Sequence, residues 1–129
     1  MILLDTHILI WMAIAPEKLS PRAHRVILEA RRATGLAISA MTLWELAWVA
    51  QSGRIQISSS VADFVRECCS TVIVRPITVE IALRAVQLPT AFPNDPQDRL
   101  IGATAIVEGL PLVTADERIQ NSRVIDTIW

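Results

Sequence analysis

Tyrosine is absent from this chain, lysine occurs once as Lys18, and cysteine occurs only as the neighbouring pair Cys68 and Cys69. Adjacent cysteines rarely meet disulfide geometry, and no Cys/His spacing of the zinc-site kind is present. Two ordinary helix cysteines in a reducing cytosol are expected. Positive charge has no surplus either: 12 Lys+Arg stand against 13 Asp+Glu, a formal net charge of −1. A protein that holds nucleic acid by bulk charge is normally basic, so any contact with RNA or DNA has to be a local patch. Long apolar runs are also missing. The opening "MILLDTHILIWMAIAP" is interrupted by Asp5 and His7. It falls short of the about 18–20 residues of a membrane span and lacks the basic flank of a signal peptide. These absences exclude a disulfide scaffold, a thiolate metal site and a membrane span, and they lead to the expectation of a soluble, cytoplasmic protein.

What is present is a globular composition, 129 residues with 52% apolar and 19% charged side chains. That is the size of one domain, large enough to fold without staples. With no repeat or linker visible, a single domain over residues 1–129 is expected. Five short apolar runs read as strands: Met1–Asp5, Leu36–Ser39, Thr71–Ile77, Leu110–Asp116 and Arg123–Trp129. The first is apolar throughout, as in a strand buried on both faces of a parallel sheet. A loop is expected from Asp5 to Ser20. Ser20 then caps a helix with Pro21 at its first position, ended by Gly35. Further helices are read in "MTLWELAWVAQSG", "VADFVRECC", "TVEIALRAVQL" and "DPQDRLIGATAIVEG". Strands alternating with helices indicate an α/β sandwich with a mostly parallel sheet between helical layers. Such folds bind ligands beyond the carboxyl ends of the strands.

Four acids are placed near that edge. Asp5 and Asp116 come after strands; Glu45 and Asp98 lie in opening turns of helices. Each has a structural role open to it. Asp5 can cap the turn after its strand, Asp116 can cap a short helical turn beginning at Glu117, and Thr42-x-x-Glu45 matches a capping box. Asp95 precedes Pro96 as a cap precedes a first-position proline, which leaves Asp98 one turn into its helix, where an acid favours the positive end. Together the four would share one cleft, and carboxylates packed together raise one another's pKa. A cation removes that cost. With no His/Cys cluster available, the ion expected is hard, Mg²⁺ or Mn²⁺ held by oxygens. A water bound to it, with lowered pKa, could attack a phosphodiester. Thr6, Ser39 and Thr114 lie beside the acids and could orient them, or could serve as caps and turn formers. His7 suggests a general base but is read as a loop holder. Arg99 could reach phosphate from the rim or pair with Glu117. Trp44 and Trp48 share a helix face and are read as core or subunit contact ahead of a base-stacking platform.

The blocks "MILLDTHILIW", "ISAMTLWELA", "DPQDRLIGATA" and "GLPLVTADERI" resemble the four signature blocks of PIN-domain ribonucleases. They are most similar to the VapC-type toxins of bacterial toxin–antitoxin pairs. They occur in the family's order, and the similarity covers essentially the whole chain. The resemblance implies a PIN-like three-layer sandwich with a five-stranded parallel sheet. It implies Mg²⁺- or Mn²⁺-dependent cleavage of RNA at Asp5, Glu45, Asp98 and Asp116, with Thr6 and Thr114 matching hydroxyl positions of the first and last blocks. It also implies a homodimer and inhibition by a small antitoxin. One departure is visible: Pro93 and Asn94 stand where many relatives carry a histidine or basic residue. Haloacid-type phosphatases and receiver domains fit poorly, because His7 takes the place of a second aspartate and the one lysine is Lys18. The alternative reading is a catalytically inactive PIN-like module that acts through partner binding.

Overall fold

The computed structural model describes residues 1–129. Five strands form one fully parallel sheet: β1 (Ile2–Leu4), β2 (Leu36–Ser39), β3 (Ile73–Arg75), β4 (Leu112–Val113) and β5 (Thr127–Ile128). Their spatial order is β3-β2-β1-β4-β5. Seven α-helices connect them: α1 (Thr6–Ile14), α2 (Pro21–Ala33), α3 (Ala40–Gln51), α4 (Val61–Cys69), α5 (Val79–Gln87), α6 (Pro96–Glu108) and α7 (Glu117–Ser122). No helix is long and apolar enough to cross a membrane.

The sheet is covered on both faces, and the alternation of its strands shows how. Ile2, Leu4, Leu36, Ile38 and Val113 point into a core shared with α1, α2, α3 and α4. Leu3, Ala37 and Leu112 point the other way, against Leu88, Phe92, Ile101, Ala105 and Ile119. Successive strand residues face opposite sides, so a strand buried on both faces must be apolar at every position. The expected sandwich is therefore the observed one. Strands β1 and β4 are shorter than their apolar runs, because Asp5 and Asp116 leave the sheet to cap α1 and α7, and β5 starts only at Thr127 because Arg123 is the C-cap of α7.

The loop expected between Asp5 and Ser20 is instead a helix, α1, with a 3₁₀ turn after it at Pro16–Lys18. Asp5 starts α1: its side chain accepts from the Thr6 N–H, and its carbonyl from Ile8 and Leu9. Thr6, Ile8, Leu9 and Ile10 are all buried. A helix buried on several sides carries no amphipathic stripe, so periodicity does not reveal it. Trp11 then packs against Trp129 at 6.0 Å between ring centroids, tying α1 to the last strand.

Helix α6 places its own acid by close packing. A Cβ on Gly102 would stand 2.5 Å from the Phe92 ring, so only glycine lets the Pro89–Pro93 segment lie on the helix. Arg99 fixes the same segment by donating to the carbonyls of Leu88 (2.7 Å) and Pro93 (3.4 Å). It does not pair with Glu117, one of the two roles expected for it. At its far end α6 stops on Gly109 in the left-handed region, φ 66°.

Candidate functional site

Strand order reverses at β1. The chain runs outward through β2 and β3 on one side, then returns to β4 and β5 on the other. At such a switch point the loops leaving adjacent strands diverge and open a crevice. Asp5 leaves β1 there, and Thr114 and Asp116 leave β4.

Asp5 is 8% exposed, with both carboxylate oxygens engaged. Oδ1 accepts from the Thr6 N–H at 2.8 Å, and Oδ2 accepts from the Thr114 hydroxyl at 2.7 Å. Burial raises its pKa above the ordinary aspartate value and nearby Asp116 adds to the rise, while the Thr114 and Thr6 bonds and His7 pull the other way. Thr114 in turn accepts from the Asp116 N–H at 3.0 Å. One buried hydroxyl thus connects the acid after β1 to the acid after β4.

Glu45 is held by a second hydroxyl. Thr6 Oγ1 donates to Glu45 Oε1 at 2.8 Å and lies 3.0 Å from the Thr42 hydroxyl. A threonine has one proton to give. With Thr6 donating to the carboxylate, Thr42 donates to Thr6, and the relay runs Thr42 to Thr6 to Glu45. Burial raises the Glu45 pKa above its usual range; Thr6 and His7 oppose, and Asp5 and Asp95 reinforce. The capping box Thr42-x-x-Glu45 is not formed. Helix α3 begins at Ala40 with Ser39 as its cap, so Glu45 sits in the second turn and faces the cleft.

Asp98 is the third residue of α6, behind the cap Asp95, whose Oδ1 accepts from the N–H groups of Gln97 and Asp98 at 2.8 and 3.3 Å. Asp95 is thus the cap expected from sequence. Asp98 is pushed up to about 7, first by burial, then by the charges of Asp5, Asp95, Asp116 and Glu45. All three other candidate acids act on this one carboxyl. Asp116 caps α7, accepting from the N–H groups of Arg118 and Ile119 at 2.8 and 3.3 Å. Burial pushes its pKa up, but the Arg118 side chain and those two N–H groups outweigh it and hold Asp116 below the usual value.

The four acids expected from sequence are therefore brought to one edge of the sheet, linked through Thr6, Thr114 and Arg118. Ser39 is fully buried, but its hydroxyl caps α3 through the Met41 N–H at 3.1 Å and bonds none of the acids. His7 is exposed and meets Trp11 edge-on. His24 is exposed on α2. Trp44 and Trp48 are stacked at 5.7 Å and about half exposed, so they are not core. Two participants were not anticipated. Thr42 was legible as the residue one turn before Glu45 on the same helix face. Arg118, whose Nη2 reaches Asp116 at 3.2 Å and Asp98 at 3.7 Å, had only its position beside a cap to mark it. A groove of about 1170 Å³ lies elsewhere: Leu9, Met12, Ile55, Phe64 and Cys68 line it, with no member of the acid quartet.

No three of the acids already stand close enough to cage an ion. Their chemistry nevertheless fits a hard divalent cation: every donor is a carboxylate oxygen, and Asp98 carries the field of three others with a guanidinium as its charged neighbour.

A parallel five-stranded sheet, helices on both faces and acids at the β1/β4 switch point define the class of a PIN-type α/β domain. The PIN domain family model matches residues 2–124. A protein of Mycobacterium tuberculosis named Ribonuclease VapC22 is 41% identical over 122 residues, covering 95% of this chain and 92% of that protein. The VapBC2 structure from Rickettsia felis, bound to a promoter DNA fragment, superposes with a TM-score of 0.76 at 19% identity, covering 98% of this chain and 97% of that one. A toxin–antitoxin complex from Klebsiella pneumoniae gives 0.66 at 28% identity, with 92% and 89% coverage. The chain belongs to the PIN-domain family, in its VapC branch.

Proposed function

We propose that this chain is an endoribonuclease that hydrolyses RNA phosphodiester bonds with the help of Mg²⁺ or Mn²⁺, and that it is the toxin of a toxin–antitoxin pair acting in the cytoplasm. The observation that carries the reading is four carboxylates from four elements linked at one edge of the sheet, Asp5 and Asp116 through Thr114, Glu45 through Thr6, and Asp98 through Arg118, an environment that pushes Asp98 up to about 7. The name of the relative from Mycobacterium tuberculosis supports the substrate class. Asp5, Glu45, Asp98 and Asp116 would hold the ion. When bound, it supplies positive charge against the phosphate and lowers the pKa of a coordinated water.

The chain's own residues set the geometry. Thr114 and the Thr6 N–H fix both oxygens of Asp5, leaving its carboxylate one orientation. The Thr42–Thr6 relay does the same for Oε1 of Glu45. Asp98 accepts no side-chain hydrogen bond; its one charged side-chain contact is Arg118 Nη2 at 3.7 Å.

The partners belong to the same proposal. The structure from Klebsiella pneumoniae is a toxin–antitoxin complex; a small antitoxin protein is read as the regulator here. Val79, Leu83 and Val86 leave one face of α5 apolar and 70%, 54% and 77% exposed, which suits a homodimer contact.

The test uses purified chain, free of partner, on a panel of tRNAs, rRNA and single-stranded RNA with Mg²⁺, Mn²⁺ or EDTA. Cleavage with either metal and none with EDTA is expected. Cleavage that survives EDTA overturns the metal. Bound Mn²⁺ with no cleavage anywhere in the panel favours the non-enzymatic, partner-binding alternative.

A further inference from the structure

The acidic cleft already contains a cation of its own. Arg118 stands in the first turn of α7, two residues beyond the cap Asp116. Its Nη2 lies 3.2 Å from Asp116 Oδ2 and 3.7 Å from Asp98 Oδ2. A single guanidinium nitrogen therefore stands against two carboxylates carried by different helices. The rest of the side chain is in solvent: Arg118 is 71% exposed, against 20% for Asp98 and 24% for Asp116. Charge holds the guanidinium there, because the side chain is too exposed for packing to hold it.

From this geometry we infer that Arg118 is a resident counter-cation that competes with the divalent ion for Asp98 and Asp116. The inference rests on the metal-dependent reading above. The oxygens that meet Nη2 are oxygens the ion would need. A hard divalent ion binds oxygen at about 2.0–2.1 Å and carries twice the charge; a carboxylate can meet both cations, but their positive charges repel across it, so each weakens the other's hold. The arginine is the one able to leave. Asp116 would keep its two backbone donors through Oδ1 after the guanidinium departs, so α7 stays capped and only the side chain moves. Arg118 then lowers the repulsion among the acids in the metal-free chain and weakens metal binding by the same contact.

The test is Mn²⁺ titration of the chelator-stripped full chain, read by the free-ion electron paramagnetic resonance signal and by Tm with and without Mn²⁺. Exposed ion pairs are weak, so Arg118→Ala should bind Mn²⁺ about two- to fivefold more tightly. It should also show a larger Mn²⁺-induced rise in Tm, from a lower metal-free value. Arg118→Lys, which keeps the charge but not the planar fork, should fall between. Arg66→Ala removes an arginine from α4 and should match wild type. Equal affinity in wild type and Arg118→Ala, weaker binding in Arg118→Ala, or an equal gain in Arg66→Ala overturns the counter-cation while leaving the metal reading intact. Failure of every variant to bind Mn²⁺ overturns both.

Discussion

The two halves of the acidic cleft are built from different chemistry. On the β1 side, Asp5 and Glu45 are held by neutral hydroxyls: Thr114 on Asp5, and Thr6, backed by Thr42, on Glu45. On the α6–α7 side, Asp98 and Asp116 meet a charged and mostly exposed arginine. The hydroxyl network is buried at Asp5, Thr6, Thr42 and Thr114 and part-buried at Glu45, and each of its bonds has a defined donor and acceptor. The arginine contact is screened and replaceable. One half is a template of fixed hydrogen bonds, and the other is held by a charge contact that the proposed divalent ion would replace.

The sharpest way to break this contrast is Asp98→Asn. Loss of cleavage should exceed the about 10–100-fold typical for residues that merely support a metal ligand, measured on any RNA the wild type cuts. Stability should move in the opposite direction. Asp98 has a folded-state pKa of about 7 against an ordinary 3.8, so between those values the folded chain binds more protons than the unfolded one, and stability falls as pH rises. Asp98's contribution to the stability of the metal-free wild type should be full below about pH 4 and be lost up to pH 7. The Asn variant should lose Asp98's share of that slope and be more stable at neutral pH by about 2 kcal/mol after discounting for partial exposure. Urea unfolding at several pH values, with EDTA, reads it directly. Identical pH slopes in the two proteins would remove Asp98 from the crowded charge field.

Thr114→Val probes the template half. The valine keeps shape and removes the donor to Asp5 Oδ2 and the acceptor for the Asp116 N–H. A buried carboxylate oxygen left without its donor costs about 1–3 kcal/mol, and activity should drop about 10–100-fold. Mn²⁺ affinity should weaken as well, which a purely structural threonine would not cause. Thr114→Ser, which keeps the hydroxyl, should recover most of both losses.

The contrast also explains what could be seen before the structure. Asp5, Asp98 and Asp116 are legible because each ends a strand or opens a helix, positions that the parallel-sheet pattern sends to one edge. Glu45 is legible only in part: its spacing from Thr42 imitates a capping box, while Ser39 is the actual cap. The hydroxyl relay is set by side-chain directions across α1 and α3, which no one-dimensional pattern encodes. Helix α1 is invisible for a related reason, being buried on too many sides to show a 3.6-residue stripe. Arg118 escapes because an exposed arginine beside an aspartate is, in most sequences, only a solvated pair.

The smallest expected effect separates two aspartates that stand one turn apart. Asp95 commits its Oδ1 to the N–H groups of Gln97 and Asp98, and its job is to start α6. Asp95→Ala should lower stability by about 0.5–2 kcal/mol. Asp95 also adds to the charge that raises Asp98 and Glu45, so part of the lost cap should be offset at neutral pH. The net destabilisation should therefore be larger at pH 4, where Asp98 is protonated, than at pH 8. Asp95→Asn keeps a capping oxygen while removing the charge, and should sit at or above wild-type stability at pH 8. Cleavage should stay within a few-fold of wild type in both variants at saturating Mn²⁺. Asp95→Ala melting as wild type but losing cleavage would exchange the two roles, making Asp95 the acid of the site and Asp98 the ornament of the helix end.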